Sequence, residues 1–272
     1  MSFRLFVPLS VSEAIRLQKE TGGQYLAGGT VTLVNDHHGK KIGETQIALE
    51  RIPELKEITF GDGFLVIGSM VTMDSLEQSP LVKKYAFALW QAASEVGGPQ
   101  IRNRATLGGN LAAASPSSDC APSLLALDAA LLVSGAEGER EIPLREFFEG
   151  YLRHALREDE LILSVRIPVR EDAVSRFRKV GKRNALSVSA VNMALVRTGK
   201  EFSISVGACA PVPVYCAETS ELLSRTGDLS AARETILTEI CPIDDRWATA
   251  SYRRTVCGNL LRALFEETEE KP

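Results

Sequence analysis

The sequence predicts an α+β protein built in two parts, residues 1 to about 170 and about 171 to 272. Three observations carry this reading. Short apolar runs of strand length are interspersed with longer runs of helical period across the first part. A charged break, Arg170-Glu171-Asp172, follows a strand closed by Pro168. Beyond the break, alternating segments near 174–182, 188–197 and 202–210 precede two helical stretches near 218–240 and 244–269, a pattern that predicts a small antiparallel sheet packed on helices.

Taken in order, Ser10-Val11-Ser12-Glu13 has capping-box spacing and Ala14, Ile15 and Leu17 form an apolar stripe, so a helix covers about 11–20 until Gly22-Gly23 end it. Tyr25 to Leu33 reads as a short apolar strand, a glycine turn and the start of a helix or loop. His37-His38, before Gly39-Lys40-Lys41, reads as a polar loop. A short strand at Ile47–Leu49 precedes two apolar runs around Gly61-Asp62-Gly63, a hairpin over 58–68. A helix opens at Thr72–Leu76, and 81–96 is helical with one apolar face. A buried helical turn at Ala121–Leu127 leads into a strand at Ala130–Ser134 and a polar hairpin turn at 136–140. A short helix at Leu144–Phe148 and a strand at Glu160–Pro168 complete the first part, and the acidic run Glu266–Glu270 reads as a solvated helix end. Gly61, Gly63 and Gly68 do not have the spacing of a dinucleotide-binding fingerprint, which argues against a doubly wound domain.

Composition narrows the function. The chain has 272 residues, 44% hydrophobic and 24% charged, with a formal net charge of −4, which argues against nucleic acid as its main partner. No apolar run approaches the roughly 20 residues that a membrane helix needs. The start MSFRLFVPLS lacks the form of a secretory signal, so a cytoplasmic location is expected. Cys120, Cys209, Cys216, Cys241 and Cys257 are scattered without a CxxC pair, and His37, His38 and His154 do not cluster. The expectation is therefore no metal held by this chain and no catalytic acid, base or nucleophile of its own.

Two glycine runs carry the chemistry. The first is Leu26-Ala27-Gly28-Gly29-Thr30-Val31-Thr32. The second runs from Ile101 through Thr106-Leu107-Gly108-Gly109-Asn110 to Ser115 and Asp119. Small residues let a backbone approach something closely, and N–H groups and hydroxyls suit a phosphate because they donate without bulk. A carboxylate such as that of Asp119 can accept from ribose or ring N–H groups.

AGGT followed by QIRNRATLGGNLAAASPSSDCAPSLLALDA resembles the FAD-binding medium subunit of the molybdenum hydroxylases, the family of xanthine, carbon monoxide and nicotinate dehydrogenase flavoproteins. The resemblance covers nearly the whole chain. It implies a two-lobed FAD-binding domain (PCMH-type) over 1–170, a C-terminal flavoprotein domain over 171–272, and non-covalent FAD. The ligands it implies are Leu26, Ala27, Gly28, Gly29, Thr30, Val31 and Thr32 from the first run and Ile101, Thr106, Gly108, Gly109, Asn110, Ser115 and Asp119 from the second. It adds Ile162 against the flavin ring and Lys179 near it, with Arg178 the candidate if the register slips by one. A cation there favours the reduced anionic flavin; the residues alone equally allow a solvated strand lysine.

Two positions depart from the family pattern: Val31 stands where many relatives carry an acid, and Cys120 where they carry a bulky aliphatic. The resemblance further implies an iron–sulfur small subunit holding [2Fe-2S] clusters, a molybdopterin large subunit that binds the substrate, and NAD as electron acceptor. A purine such as xanthine is the first substrate class, and the isolated chain could form a homodimer. A stand-alone FAD-dependent oxidase or reductase on the same fold, or a scaffold that has lost FAD, are the alternatives.

Overall fold

The structure, a computed structural model, describes residues 4–38, 42–183 and 186–269, so Gly39–Lys41 and Glu270 lie outside the described residues. The first lobe is a three-stranded parallel sheet, order β1-β3-β2, of β1 (Arg4–Phe6), β2 (Gln24–Leu26) and β3 (Thr45–Ala48). Helices α1 (Val11–Thr21) and α2 (Thr32–His37) make the crossovers that parallel strands require. The Ser10 hydroxyl accepts from Glu13 N–H to start α1, and Gly22 in the left-handed region ends it. His37, expected in a loop, closes α2.

The second lobe holds a five-stranded antiparallel sheet, order β4-β5-β10-β6-β7. Its strands are β4 (Ile58–Gly61), β5 (Phe64–Gly68), β6 (Ala130–Gly135), β7 (Gly138–Pro143) and β10 (Leu161–Pro168), with a small hairpin of β8 (Phe148–Gly150) and β9 (Arg153–His154) beside it. The expected polar turn at 136–140 narrows, because β7 already begins at Gly138, and the short helix expected at 144–148 is a single 3₁₀ turn, Leu144–Glu146. Six helices pack here: α3 (Met73–Gln78), α4 (Pro80–Tyr85), α5 (Phe87–Ser94), α6 (Pro99–Arg102), α7 (Leu107–Ala112) and α8 (Cys120–Ala126). Every residue of α8 is buried. The helix expected over 81–96 is two, split at Ala86.

The third unit is the antiparallel meander β11 (Ala173–Gly181), β12 (Ser189–Thr198), β13 (Glu201–Gly207) and β14 (Val214–Tyr215), followed by α9 (Ala217–Thr226), α10 (Leu229–Glu239) and α11 (Ala250–Glu269). One face of this sheet, through Phe177, Ala194 and Val196, joins the core built by Leu89, Leu124, Val133 and Phe147. The other face, through Val191, Met193, Leu195 and Ile204, packs on Leu223, Ile236 and Leu261 of the last three helices. The sheet is thus buried on both sides, which explains the nearly continuous apolar reading of β12.

The single helix expected over 218–240 is broken. Gly227 takes φ +67, and Asp228 restarts the chain by accepting from Ala231 N–H at 3.0 Å. Asp228→Ala removes that cap, and we expect about 1 kcal/mol of lost stability, read as a lower midpoint in chemical denaturation with an unchanged slope.

Candidate functional site

The two glycine runs meet. A side chain on Gly28 would place its Cβ 1.8 Å from the Arg104 carbonyl oxygen, and one on Gly109 would lie 3.5 Å from Ala27 Cβ. The end of β2 therefore lies directly against the segment that opens α7. Gly108 packs as closely on Ser69, where an added Cβ would sit 2.6 Å from the Ser69 Cβ. Gly29 adopts φ +75, a conformation that costs any L side chain.

The runs differ in what they leave over. In the second, Gly108 N–H donates to Ser69 O at 2.8 Å, Gly109 N–H to the Thr106 hydroxyl at 3.1 Å and Asn110 N–H to Thr106 O at 2.9 Å. Those amides, expected to hold a phosphate, are already engaged, and Thr106 is buried as the cap of α7. In the first run, no described residue accepts from the backbone N–H of Gly28, Gly29, Thr30, Val31 or Thr32. Thr30 and Thr32 are half-exposed beside them, and the Val31 side chain points to solvent at 51% exposure. Five unclaimed donors beside a left-handed glycine, with little side-chain bulk, are the chemistry that suits an anion. The Asn110 side-chain Oδ1 accepts from the Ser118 hydroxyl at 2.6 Å, and no described residue accepts from its amide NH₂, which remains a further donor.

Asp119 departs from the expected role. It precedes α8 but does not cap it; Ser118 does, accepting from Ala121 N–H at 3.2 Å. The Asp119 carboxylate instead turns toward the C-terminal sheet. Its Oδ2 accepts from Lys179 Nζ at 2.6 Å, and its Oδ1 accepts from the Ser189 hydroxyl at 2.6 Å and Asn192 Nδ2 at 2.9 Å. The Lys179 ammonium also donates to the Glu95 carbonyl at 3.0 Å. The side chains of Lys179 and Asp119 are 7% and 10% exposed, so this is a buried ion pair with its remaining lone pairs satisfied. The acceptor expected for a ribose is thus taken by the chain itself, and Lys179 is a neutralised cation rather than a free one. Arg178, the alternative candidate, points away to Glu267 at 2.7 Å.

Ile101 is 40% exposed and rests on Gly97, where an added Cβ would lie 3.0 Å from it; Gly98 next to it faces the exposed Leu186. Beside them Glu95, Lys179, Val180, Gly181 and Arg183 line an open cavity of about 310 Å³. Ser115 is half-buried and accepts from Ser117 N–H at 3.3 Å. Ile162 is buried in the main core, in the same cluster as Ala105, Leu107 and Leu111 of the second run. A register shift between Ile162 and Ser164 turns Leu163 instead toward the cluster that holds Tyr25 and Ala27. Cys120 is fully buried with its thiol 3.6 Å from Met73 Sδ, and burial pushes that thiol well above its ordinary range, so it packs and does not react.

Ser189, Asn192 and Leu163 were not among the residues the sequence singled out. Asn192 carried a legible signal, a lone amide in the apolar run of β12. Lys179→Met leaves the Asp119 charge buried and unpaired, and we expect a loss of about 3–5 kcal/mol. Adding Asp119→Asn restores most of it, a difference that denaturant titration of the single and double variants resolves.

The chain matches two protein families: residues 1–170 the FAD binding domain in molybdopterin dehydrogenase, and residues 176–268 the CO dehydrogenase flavoprotein C-terminal domain. It is 30% identical over 273 aligned positions to a xanthine dehydrogenase FAD-binding subunit of Escherichia coli (strain K12), covering 95% of this chain and 93% of that one. It is 28% identical to a carbon monoxide dehydrogenase medium chain of Hydrogenophaga pseudoflava, covering 96% of this chain and 94% of that one. Its fold superposes on a chain of the carbon monoxide dehydrogenase structure from Hydrogenophaga pseudoflava with a TM-score of 0.92 at 26% identity, covering 98% and 96% of the two chains. With the cradle, the two-lobed fold and the C-terminal meander all accounted for, the chain belongs to the FAD-binding subunits of the molybdopterin dehydrogenases.

Proposed function

We propose that this chain carries electrons as the flavoprotein of a molybdenum hydroxylase, holding one FAD non-covalently where its two glycine runs meet. The single observation that carries the reading is the row of unclaimed N–H donors from Gly28 to Thr32 around the left-handed Gly29. A pyrophosphate needs many donors at close range and no bulk, and this segment offers both. Asn110 and Ser115 extend the donor set toward the ribityl and ribose hydroxyls. Ile101 and Leu163 present apolar surface to the ring, and Lys179 stands at its polar edge. When bound, FAD supplies the exchange between single electrons and a hydride pair; the residues of this chain bind it, orient it and set the charge around it.

The partners in this reading are an iron–sulfur small subunit, which delivers electrons, and a molybdopterin large subunit, which oxidises the substrate. The medium-chain relative supports that division. The substrate class is a purine such as xanthine, supported by the relative at 30% identity, and the acceptor is NAD⁺. Residues 1–170 form the flavin-binding domain and 171–272 the flavoprotein's C-terminal domain. Among the described residues no helix is long and apolar enough to cross a membrane, in keeping with a cytoplasmic enzyme.

The purified full-length chain should take up one FAD that acid denaturation releases completely. Gly29→Val strains the left-handed conformation by about 1–2 kcal/mol; the free segment escapes that cost by relaxing and binding restores it, so FAD should bind about tenfold more weakly, measured by equilibrium titration. A chain that stays colourless after incubation with FAD refutes the reading. NADH should bleach the bound flavin anaerobically by reversing the physiological transfer. If NADH leaves it oxidised while a quinone or O₂ reoxidises the reduced form, NAD⁺ is not the acceptor.

A further inference from the structure

The buried stretch of β12, Ser189 to Val196, is apolar on both faces except for Ser189 and Asn192, 1% and 0% exposed. An amide buried this deeply costs about 1–3 kcal/mol unless it finds partners, and β13 is shaped to admit this one. Gly207, its registered neighbour, lacks a side chain where an added Cβ would lie 2.1 Å from Asn192 Oδ1. Two adjacent strand positions are therefore committed to one amide. Asn192 Nδ2 donates to Ser118 O at 3.0 Å and Asp119 Oδ1 at 2.9 Å, so it reaches from the C-terminal sheet into the segment that follows the second glycine run.

We propose that Ser189 and Asn192 are positioning residues of the flavin site, acting through Asp119 on Lys179. The proposal rests on the FAD reading above. Together they occupy Oδ1 and fix the plane of the carboxylate, leaving Oδ2 alone for the lysine. Lys179, held between Oδ2 and the Glu95 carbonyl, has one of its three N–H bonds left for a ligand in the adjoining cavity. Donors on Oδ1 also draw off part of the carboxylate's charge. Without them Asp119 presents more negative potential to the flavin and disfavours its reduced anion. The C-terminal sheet thereby sets the electrostatics of a cofactor whose phosphates are held by the first lobe.

The test uses the full chain loaded with FAD and reads the flavin's reduction potential by spectroelectrochemistry, together with thermal stability. Ser189→Ala and Asn192→Leu should both bind FAD and shift the potential to more negative values. The exchange Asp119→Asn/Asn192→Asp, which keeps one carboxylate and one amide in the seam, should bring the potential back toward that of the unaltered chain. Potentials unchanged in Ser189→Ala and in the exchange variant, with only the melting point lowered, overturn the proposal and leave a purely structural role. An unaltered chain that takes up no FAD overturns the parent reading and this proposal with it, so the two failures are told apart by the unaltered protein alone.

Discussion

The buried carboxylate of Asp119 is the constraint on which the rest of the structure depends. A charge removed from water at 8% exposure persists only with a counter-ion and donors on its other lone pairs. Asp119 finds all of these in the C-terminal sheet, in Lys179, Ser189 and Asn192, while the backbone around it belongs to the segment that closes the second glycine run. Satisfying one side chain thus fixes the sheet against the second lobe. The apolar seam made by Phe177, Ala194 and Val196 against the helices of that lobe adds area to the same junction, but area does not choose a register. The ion pair does, because its hydrogen bonds are short and directional.

The glycines divide into two kinds. Gly28 and Gly108 exist so that protein backbone can meet protein, at the Arg104 carbonyl and at Ser69. Gly29 exists for its conformation, and the five donors around it are what the chain leaves for a ligand. The family motif mixes these roles in one string. The second run, with the longer and more specific motif, is largely architecture; the shorter first run keeps the free donors.

Much of the fold was legible from local signals. The Ser10 cap, the Gly22 stop, the hairpin around Gly61-Asp62-Gly63 and the proline-closed strand ending at Pro168 each follow from chemistry within a few residues. The break at Gly227-Asp228 carried a good stop and a good cap, yet apolar periodicity continues across it and hides the corner. Within the site, the glycine runs stood out by motif and Lys179 through the family resemblance. The other two partners of Asp119, Ser189 and Asn192, did not, because they lie 70 and 73 residues away in sequence and only the folded register brings them together. The orientation of Ile162 and Leu163 was hidden for a related reason: a bulge shifts the alternation of β10, and the inward face of a bulged strand cannot be counted from residue numbers.

The central claim is that the first glycine run, rather than the second, holds the phosphates of FAD. A crystal structure of the full-length chain with FAD bound tests it most directly. The account predicts pyrophosphate oxygens within about 3 Å of backbone N–H groups between Gly28 and Thr32, with Gly108 N–H still bonded to Ser69 and Asp119 still paired with Lys179. Phosphates seated on the amides of Gly108 and Gly109 with the first run left unliganded, or an Asp119 carboxylate swung out to the cofactor, would contradict it.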